Sequence, residues 1–245
     1  MPRTYICNIC GAKNSFREED NLVVPGPICS GCRSSVRFRK IAYVIAETVF
    51  GGPDELFLHG ENTLRGIGLS DAAPYAKMLE KQPYYTNTFY HREPYFDVMR
   101  DSDTYHDLDY LISSDVFEHT PPPAEKPFNV VHGLLKPGGK FILSVPTVET
   151  YLEHFPDLHD YEVIAVEGGF LLANATTGGK LQVFRNLRFH GGPGSTLEMR
   201  VYSIDSVERN LALAGFSAWE RIGIERQDFG ITNIRGLSTV WLATK

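Results

Sequence analysis

Four cysteines, which are all that the chain contains, form two pairs near its start: Cys7 with Cys10, and Cys29 with Cys32. Each pair has the spacing C-x2-C and eighteen residues separate the pairs, so the four thiolates can close a tetrahedral shell around Zn2+. Structural disulfides suit such close pairs less well, and a redox motif would need one pair beside a βαβ unit. Because four cysteines leave no position for water, the predicted zinc is structural.

Histidine is the side chain best suited to act as a general base near neutral pH. Four histidines are candidates for that catalytic role: His119, His154, His159 and His190. His154 and His159 share the segment 154–160 with two aspartates, which favours either a base or a divalent metal site. The same segment can also be a polar loop that hydrogen-bonds to the hairpin insertion, and this interpretation is favoured over the base or metal site, which stays open.

The elements that must position these residues alternate between strand and helix. Strands are predicted at 64–69, 84–90, 96–98, 108–114 and 140–145, with a turn at 136–139, and helices at 37–50, 72–81, 124–135 and 203–214. This alternation predicts an α/β fold whose parallel sheet carries helices on both faces. The segment 161–190 predicts antiparallel hairpins, and two further strands are predicted near 217–225 and 237–243.

The segment that contains the cysteines predicts a zinc ribbon, in which Gly11 and Gly31 supply unusual backbone angles at the two turns. Residues 1–40 hold seven Lys or Arg against three Asp or Glu, although the whole chain of 245 residues has a net charge of -6. The basic residues Arg33, Arg37, Arg39 and Lys40 favour a solvated or ion-paired helix start. The acidic remainder argues against nucleic acid as the main partner.

No apolar run is long enough to predict a membrane span, and the first residues do not resemble a signal peptide. Together with reduced zinc-binding thiols, these features predict a cytoplasmic protein.

Three segments lie at or near the carboxyl ends of predicted parallel strands, where open α/β sheets bind ligands. They are 66–71 (GIGLSD), 113–119 (SSDVFEH) and 134–146 (LLKPGGKFILSVP). Glycines at such a position allow a close backbone approach, and serine or aspartate can either bind a ligand or cap a helix. Taken singly, none of the three segments shows whether it binds a ligand or only stabilises the fold.

Taken together, two motifs resemble the class I S-adenosylmethionine-dependent methyltransferases: 109–119 (DYLISSDVFEH), and 134–139 (LLKPGG) followed by 144–146 (SVP). The resemblance covers about residues 60–150 and the two C-terminal strands. It implies a Rossmann-like methyltransferase sheet, mostly parallel with the last strand antiparallel, carrying the zinc ribbon and a β-hairpin insertion at about 150–200. The implied domains are a ribbon at 1–36 and a methyltransferase domain at 37–245.

The same resemblance implies that S-adenosyl-L-methionine is the cofactor. Gly66 and Gly68 would pass its methionine moiety, and Asp71 would bind the amino group or cap the next helix. Tyr90 or Glu93 would flank the ribose, and Asp97 would accept the adenine amino group. Ser114 and Asp115 would line the pocket, with Glu118 and His119 at its mouth.

The chain departs from the family pattern in its glycine loop, which is reduced to two glycines with no acidic residue before it, and in the missing acid after the second strand. A second register would make 56–59 the first strand and Asp71 the ribose acid, but it leaves too few residues for a crossover helix. These departures keep open a binding protein without catalytic activity.

Three segments, 66–71, 87–94 and 190–200, resemble signatures of bacterial methyltransferase-like proteins with a zinc ribbon, a group met among polysaccharide and glycosyl-transfer functions. This implies O-methylation of a small or sugar-type acceptor, with an RNA-directed methyltransferase as the alternative. The glycine-rich loop 190–196 is predicted to fold over the crevice, anchored by charge pairing of Glu198 and Arg200. The ribbon is predicted to be a small basic cap packed through the 37–50 helix against the methyltransferase body, and a fragment of residues 51–245 is predicted still to bind cofactor.

Overall fold

The computed structural model describes residues 3–17, 19–20, 24–52, 63–234 and 238–245. The alternative first strand at 56–59 lies outside these ranges. None of the helices in the described residues has the length and apolar character that crossing a bilayer requires.

The N-terminal ribbon consists of a β-hairpin and the loop that carries the second cysteine pair. Strand β1 (Arg3–Ile6) pairs antiparallel with β2 (Lys13–Phe16). Gly11 has φ +72°, as predicted, but Gly31 does not have a positive φ. Gly31 instead provides space, because a Cβ there would lie 2.9 Å from Ala12 and 3.1 Å from the Cys10 sulfur. The prediction that position 31 needs glycine for its backbone angle was therefore wrong, and the requirement is for space.

Helix α1 (Val36–Val49) follows the ribbon, with the Ser35 hydroxyl accepting a hydrogen bond from the Phe38 N–H at its start. The buried face of α1 packs on the central sheet. One apolar cluster contains Tyr5 and Cys29 of the ribbon, Ile45 of α1 and Ile112 of the sheet. The ribbon therefore packs through α1 against the sheet and shares a core with it, and a fragment of residues 51–245 would expose that core.

The central sheet has six strands, and the predicted fold class is confirmed. In chain order its elements are β3 (Gly66–Leu69), α2 (Ala73–Leu79), β4 (Tyr85–Thr88), β5 (Leu108–Ser114), α3 (Lys126–Leu134) and β6 (Leu135–Val145). Seven short or insertion strands follow: β7 (Thr147–Val148), β8 (Leu152–Glu153), β9 (Asp160–Val166), β10 (Gly169–Ala175), β11 (Leu181–Phe184), β12 (Phe189–His190) and β13 (Thr196–Leu197). The last elements are β14 (Arg200–Ser203), α4 (Ile204–Ala214), β15 (Ala218–Arg221) and β16 (Thr239–Thr244).

The spatial order of the sheet is β15-β16-β6-β5-β3-β4, in which β3, β4, β5 and β6 are parallel and β16 runs antiparallel to both of its neighbours. A second apolar cluster, to which α3 and α4 contribute, packs on the face opposite α1. The predicted helix at 203–214 is confirmed, with a capping box at Ser203 and a left-handed stop at Gly215.

Two local predictions were wrong. The brief strand at 96–98 is absent, because the Asp97 carboxylate accepts the Met99 N–H at 2.8 Å and turns the backbone away from extended pairing. The predicted turn at 136–139 is an irregular part of β6, where the register with β5 shifts between Leu108 and Tyr110.

The predicted antiparallel insertion is confirmed as a three-stranded sheet of order β11-β10-β9. Its inner face packs on a small apolar cluster of Phe155, Leu172, Leu197 and Met199. A further short sheet of β7, β14 and β8 connects this insertion to the main sheet.

Candidate functional site

The carboxyl edge of the central sheet has a topological switch point between β3 and β5. The chain leaves β3 toward β4 on one side, and its next strand, β5, lies on the other side of β3. The residues that follow these two strands, Ser70 and Asp115, have φ +55° and +53°. Left-handed non-glycine residues are uncommon and collect at ligand sites, so this part of the edge is the candidate binding crevice.

Asp71 lies at this edge but is enclosed. Its carboxylate accepts hydrogen bonds from the hydroxyls of Tyr75 at 2.8 Å and Tyr85 at 2.7 Å. Burial raises the pKa of Asp71 to about 7, although the two tyrosine hydrogen bonds act in the opposite direction. Asp71 therefore joins the strand end to α2 and β4, and its side chain does not face an open pocket.

The two glycines of β3 make room for side chains of this chain. A Cβ on Gly66 would lie 2.1 Å from the Tyr110 ring, and a Cβ on Gly68 would lie 2.0 Å from Asp71 Oδ2 and 2.3 Å from the Tyr85 hydroxyl. On that face of the sheet, the space that a glycine usually leaves for a ligand is already filled. A ligand at this edge would therefore meet the turn after β3, at Ser70, before it meets the glycines.

Asp115 is held by three side chains. Arg37 of α1 forms an ion pair with its carboxylate, which also accepts hydrogen bonds from Ser144 and Ser238 at 3.0 Å each. Ser114 accepts a hydrogen bond from Ser144 at 3.2 Å and is half-buried. Ser238 also lines a cavity of about 520 Å³, together with Lys40, Arg221, Asn233 and Thr239. The cavity therefore reaches Ser238, the hydrogen-bond partner of Asp115, but Asp115 itself does not line it.

The remaining residues predicted for the cofactor lie after β4. Tyr90 and Glu93 are exposed, and the Glu93 carboxylate accepts the Tyr95 N–H at 3.0 Å. Asp97 is buried, and its Oδ1 accepts the Met99 N–H, which stabilises the turn that contains both residues. Among the residues that the structure describes, Asp97 Oδ2 is paired only with the exposed Arg100 at 3.6 Å, so this oxygen can still accept a further donor.

Three of the four predicted histidines are brought together around Glu198. His154 Nε2 lies 2.9 Å from Glu198 Oε1, and His190 Nε2 lies 3.0 Å from Glu198 Oε2. Burial alone raises the pKa of Glu198, but the hydrogen bonds from His154 and His190 outweigh it and leave the pKa below its usual range. Both imidazoles therefore donate to an ionised carboxylate.

His119 packs edge-on against His190, with ring centroids 4.6 Å apart. Its Nδ1 lies 2.8 Å from the carbonyl oxygen of Leu197, which can only accept, so Nδ1 carries the proton and Nε2 has the free lone pair. Burial lowers the pKa of His119, which favours the neutral form. His119 thus offers a basic nitrogen at the carboxyl end of the β5 segment.

Glu118 lies beside the histidines and is 1% exposed. Neither of its carboxylate oxygens has a hydrogen-bond partner among the described residues. Its Oε1 is 3.8 Å from His119 Nε2 and 4.0 Å from His190 Nδ1. Burial raises the pKa of Glu118 to about 8. The sequence predicts Glu118 at the mouth of the pocket without a role. Its contact with His190 of β12, which suggests a role, depends on the packing of a distant segment.

His159 does not join this cluster. Its side chain is exposed, and its backbone N–H donates to the Asn174 side chain at 2.9 Å.

The glycine-rich loop after His190 joins β12 to β13, and Gly194 in this loop lies against the Phe170 ring of β10. Arg200 is fully buried, and it pairs with Glu153 at 2.8 Å and donates to the Phe117 carbonyl. Glu198 and Arg200, the predicted anchors of the loop, therefore do form charge pairs. Glu198 pairs with His154 and His190, and Arg200 pairs with Glu153.

The four cysteines also come together, with Cys7 and Cys32 sulfurs 3.8 Å apart and Cys10 and Cys29 sulfurs 3.6 Å apart. A tetrahedral shell with Zn–S bonds of about 2.3 Å requires S–S distances of about 3.8 Å. Burial raises the pKa of Cys29, but hydrogen bonds from the N–H groups of Cys32 and Gly31 outweigh it and lower the pKa to about 6. The sulfur positions therefore fit a zinc ion.

Three of the four basic residues at the start of α1 turn inward. Arg39 is fully buried and donates to the carbonyls of Pro27 and Gly230 at 2.9 and 2.8 Å. Lys40 is 6% exposed and contacts Asn233, and Arg37 is paired with Asp115. Only Arg33 of this group is exposed, so the group does not form the solvated basic face that RNA would need.

No protein-family model and no curated protein sequence matches this chain. Solved structures that resemble it are S-adenosylmethionine-dependent methyltransferases. One from Clostridium acetobutylicum has 12% identity and a TM-score of 0.49, with 84% of this chain and 91% of that chain covered. The sugar N-methyltransferase KedS8 from Streptoalloteichus has 12% identity and a TM-score of 0.49, with 86% and 87% covered. A methyltransferase from Mesorhizobium loti has 14% identity and a TM-score of 0.46, with 77% and 94% covered.

Proposed function

We propose that this protein is a class I S-adenosylmethionine-dependent methyltransferase that methylates a hydroxyl of a small or sugar-type acceptor. The observation that carries the proposal is the switch point between β3 and β5, where Ser70 and Asp115 have left-handed backbones at adjacent strand ends. Dinucleotide and nucleoside ligands bind at such points in open α/β sheets. The sequence motifs after β5 and through β6 resemble those of this enzyme class.

The cofactor supplies a methyl group already activated on a sulfonium, so the protein mainly has to orient the acceptor and exclude water. The residues available to hold the cofactor are Ser70 and Ser114 at the strand ends, Glu93 near the ribose, and the free Asp97 oxygen for the adenine amino group. Gly66 and Gly68 act by letting Tyr110, Asp71 and Tyr85 pack behind β3.

The acceptor is expected at the histidine cluster beside β5. A hydroxyl nucleophile benefits from a base that removes its proton, and His119 Nε2 and His190 Nδ1 both have free lone pairs there. His190 is the more exposed of the two, with 38% of its side chain accessible against 12% for His119. The segments that resemble sugar-modifying bacterial proteins include this loop, which supports a sugar-type acceptor.

Calorimetric titration with S-adenosylmethionine tests the cofactor assignment. We expect saturable binding that Asp97→Asn weakens about tenfold, since one hydrogen bond of about 1.4 kcal/mol is lost while the acceptor for the Met99 N–H is kept. Asp103→Asn, at an exposed aspartate, is the matched control. Absence of heat up to millimolar cofactor would rule the proposal out.

One observation favours a second candidate, a binding protein that uses no nucleoside cofactor. Tyr110, Asp71 and Tyr85 fill the space beside the β3 glycines. That candidate predicts no rise in melting temperature on adding S-adenosylmethionine. A rise that is larger for the wild type than for Asp97→Asn would exclude it.

A further inference from the structure

Three ligand atoms converge beside β5. Glu118 Oε1, His119 and His190 each offer one atom, and all of these atoms lie within 4.8 Å of one another. Glu118 Oε1 lies 3.8 Å from His119 Nε2 and 4.0 Å from His190 Nδ1. Ligands of a four-coordinate metal with bonds of about 2.0–2.2 Å are about 3.4 Å apart. Closing a shell therefore needs a shift of about half an ångström between Glu118 Oε1 and each nitrogen, and of at most about 1.4 Å between the two nitrogens.

Each imidazole has its second nitrogen fixed by an acceptor. His119 Nδ1 donates to the Leu197 carbonyl at 2.8 Å, and His190 Nε2 donates to Glu198 at 3.0 Å. In neutral imidazoles these bonds place the lone pairs on Nε2 of His119 and Nδ1 of His190, the nitrogens within 4.0 Å of Glu118 Oε1. Metal-binding histidines characteristically donate their other N–H to a carbonyl or carboxylate in this way, which fixes the tautomer and the ring orientation.

Glu118 adds an independent observation. Its carboxylate is 1% exposed, and neither oxygen has a hydrogen-bond partner in the described residues. A buried carboxylate without partners is costly unless a cation or a donor fills the space in front of it. Two imidazole nitrogens, His119 Nε2 and His190 Nδ1, lie within 4.0 Å of Oε1. A cation between them would satisfy all three groups together.

We propose that Glu118, His119 and His190 bind one divalent first-row transition-metal ion, separate from the zinc of the ribbon. Two histidines and one carboxylate form a set that such ions prefer, and they leave a position open. The open position lies on the side of His190, which is 38% exposed, and it takes an oxygen or nitrogen of a small ligand. Glu198 is a positioning residue that orients His190, while His154 holds Glu198 from its other oxygen.

Metal binding at this site stands independently of methyl transfer. What the ion does rests on the proposed function: an acceptor hydroxyl bound at the open position would be acidified by the ion, rather than deprotonated by imidazole directly.

Cobalt titration of the full-length protein tests the site. The ribbon is first filled with one equivalent of Zn2+, which thiolates hold more tightly than Co2+. We expect one equivalent of Co2+ to bind and to give visible d–d bands without the near-ultraviolet charge-transfer band of a cobalt–thiolate site. Wild-type protein that binds no Co2+ at millimolar concentration would overturn the proposal.

Variants assign the ligands. Glu118→Gln and His119→Ala should abolish the cobalt bands, whereas His159→Ala, at an exposed histidine outside the cluster, should retain them. Circular dichroism shows whether the changes at Glu118 and His119 disturb folding. His190→Ala removes a third ligand at a more exposed position, and it should abolish the cobalt bands as well. Glu198→Gln should weaken Co2+ binding about 10–100-fold while keeping the spectrum. Folded Glu118→Gln, His119→Ala and His190→Ala proteins that bind Co2+ like the wild type would contradict the assignment.

The cobalt titration contains no cofactor, so the two proposals fail separately. Cobalt binding without S-adenosylmethionine binding would retain the metal site and reject the methyltransferase proposal. Binding of S-adenosylmethionine without cobalt would retain the enzyme and leave the imidazoles as direct bases.

Discussion

Arg37, in the first turn of α1, forms an ion pair with Asp115, the left-handed residue that follows β5. The pair links α1, the helix that follows the ribbon, to the candidate crevice. Both side chains are about four-fifths buried, with exposed fractions of 21% and 18%. The N-terminal segment therefore contributes a charge to the edge of the sheet where we expect ligands to bind.

Replacing Arg37 with methionine should destabilise the fold. The Asp115 carboxylate would keep the hydroxyls of Ser144 and Ser238 but lose its counter-charge, and we expect a loss of about 2 kcal/mol, below the roughly 3–5 kcal/mol of fully buried pairs. Urea unfolding measures the change, and Arg33→Met at an exposed arginine is the control. Equal stabilities of the two variants would show that the ion pair has no net effect.

Asp71 should make stability depend on pH. Its pKa of about 7 in the folded protein lies above its ordinary value of 3.8, because burial disfavours the charged form. The stability that this group contributes is complete below about pH 4 and is lost as the pH rises through about 7. Asp71→Asn cannot ionise, so its free energy of unfolding should fall less between pH 5 and pH 8 than that of the wild type. Asp103→Asn should behave as the wild type, and identical pH profiles of all three would refute the assignment.

Gly68→Ala should destabilise through crowding. The new methyl would lie 2.0 Å from Asp71 Oδ2, and relief requires a shift of buried groups that costs about 1–3 kcal/mol. Gly133→Ala is a matched control, since no atom lies within 4 Å of its Cβ position and alanine favours α3. Thermal unfolding of the two variants should therefore shift in opposite directions. A neutral Gly68→Ala would mean that this part of the core is loosely packed.

Loss of a ribbon ligand should affect the whole protein. Cys29→Ser removes one thiolate from the four-sulfur group, and the ribbon shares its apolar cluster with α1 and the sheet. We expect the variant to lose one equivalent of zinc and to unfold at a lower temperature in a single transition. Ser15→Ala, at an exposed position of β2, is the control. A second, unchanged transition for the sheet would show instead that the ribbon folds independently.

The periodicity of the chain was sufficient to predict most of the fold. Alternating strands and helices, the Gly-Gly pairs at 168–169 and 178–179 in the insertion, and the helix signals at Ser203 and Gly215 all act within a few residues, so they can be read locally. The prediction of a strand at 96–98 failed because a side chain, Asp97, competes for the backbone N–H that a strand would use. That competition depends on geometry which residue types alone do not specify.

The sequence by itself determined the cysteine set, because both pairs carry their spacing within short turns. It also supplied His119, His154 and His190 as candidates, but not their grouping. Only the tertiary structure placed His190 against Glu118 and separated His159 from both, since residues from distant segments meet there through the pairing of β12 with β13 and of β14 with β8. Burial, which leaves the Glu118 carboxylate without a partner and encloses Asp71, is likewise a property of the packed chain. Local spacing encodes a metal site whose ligands are close in sequence, whereas a site assembled across the fold exists only once the chain has packed.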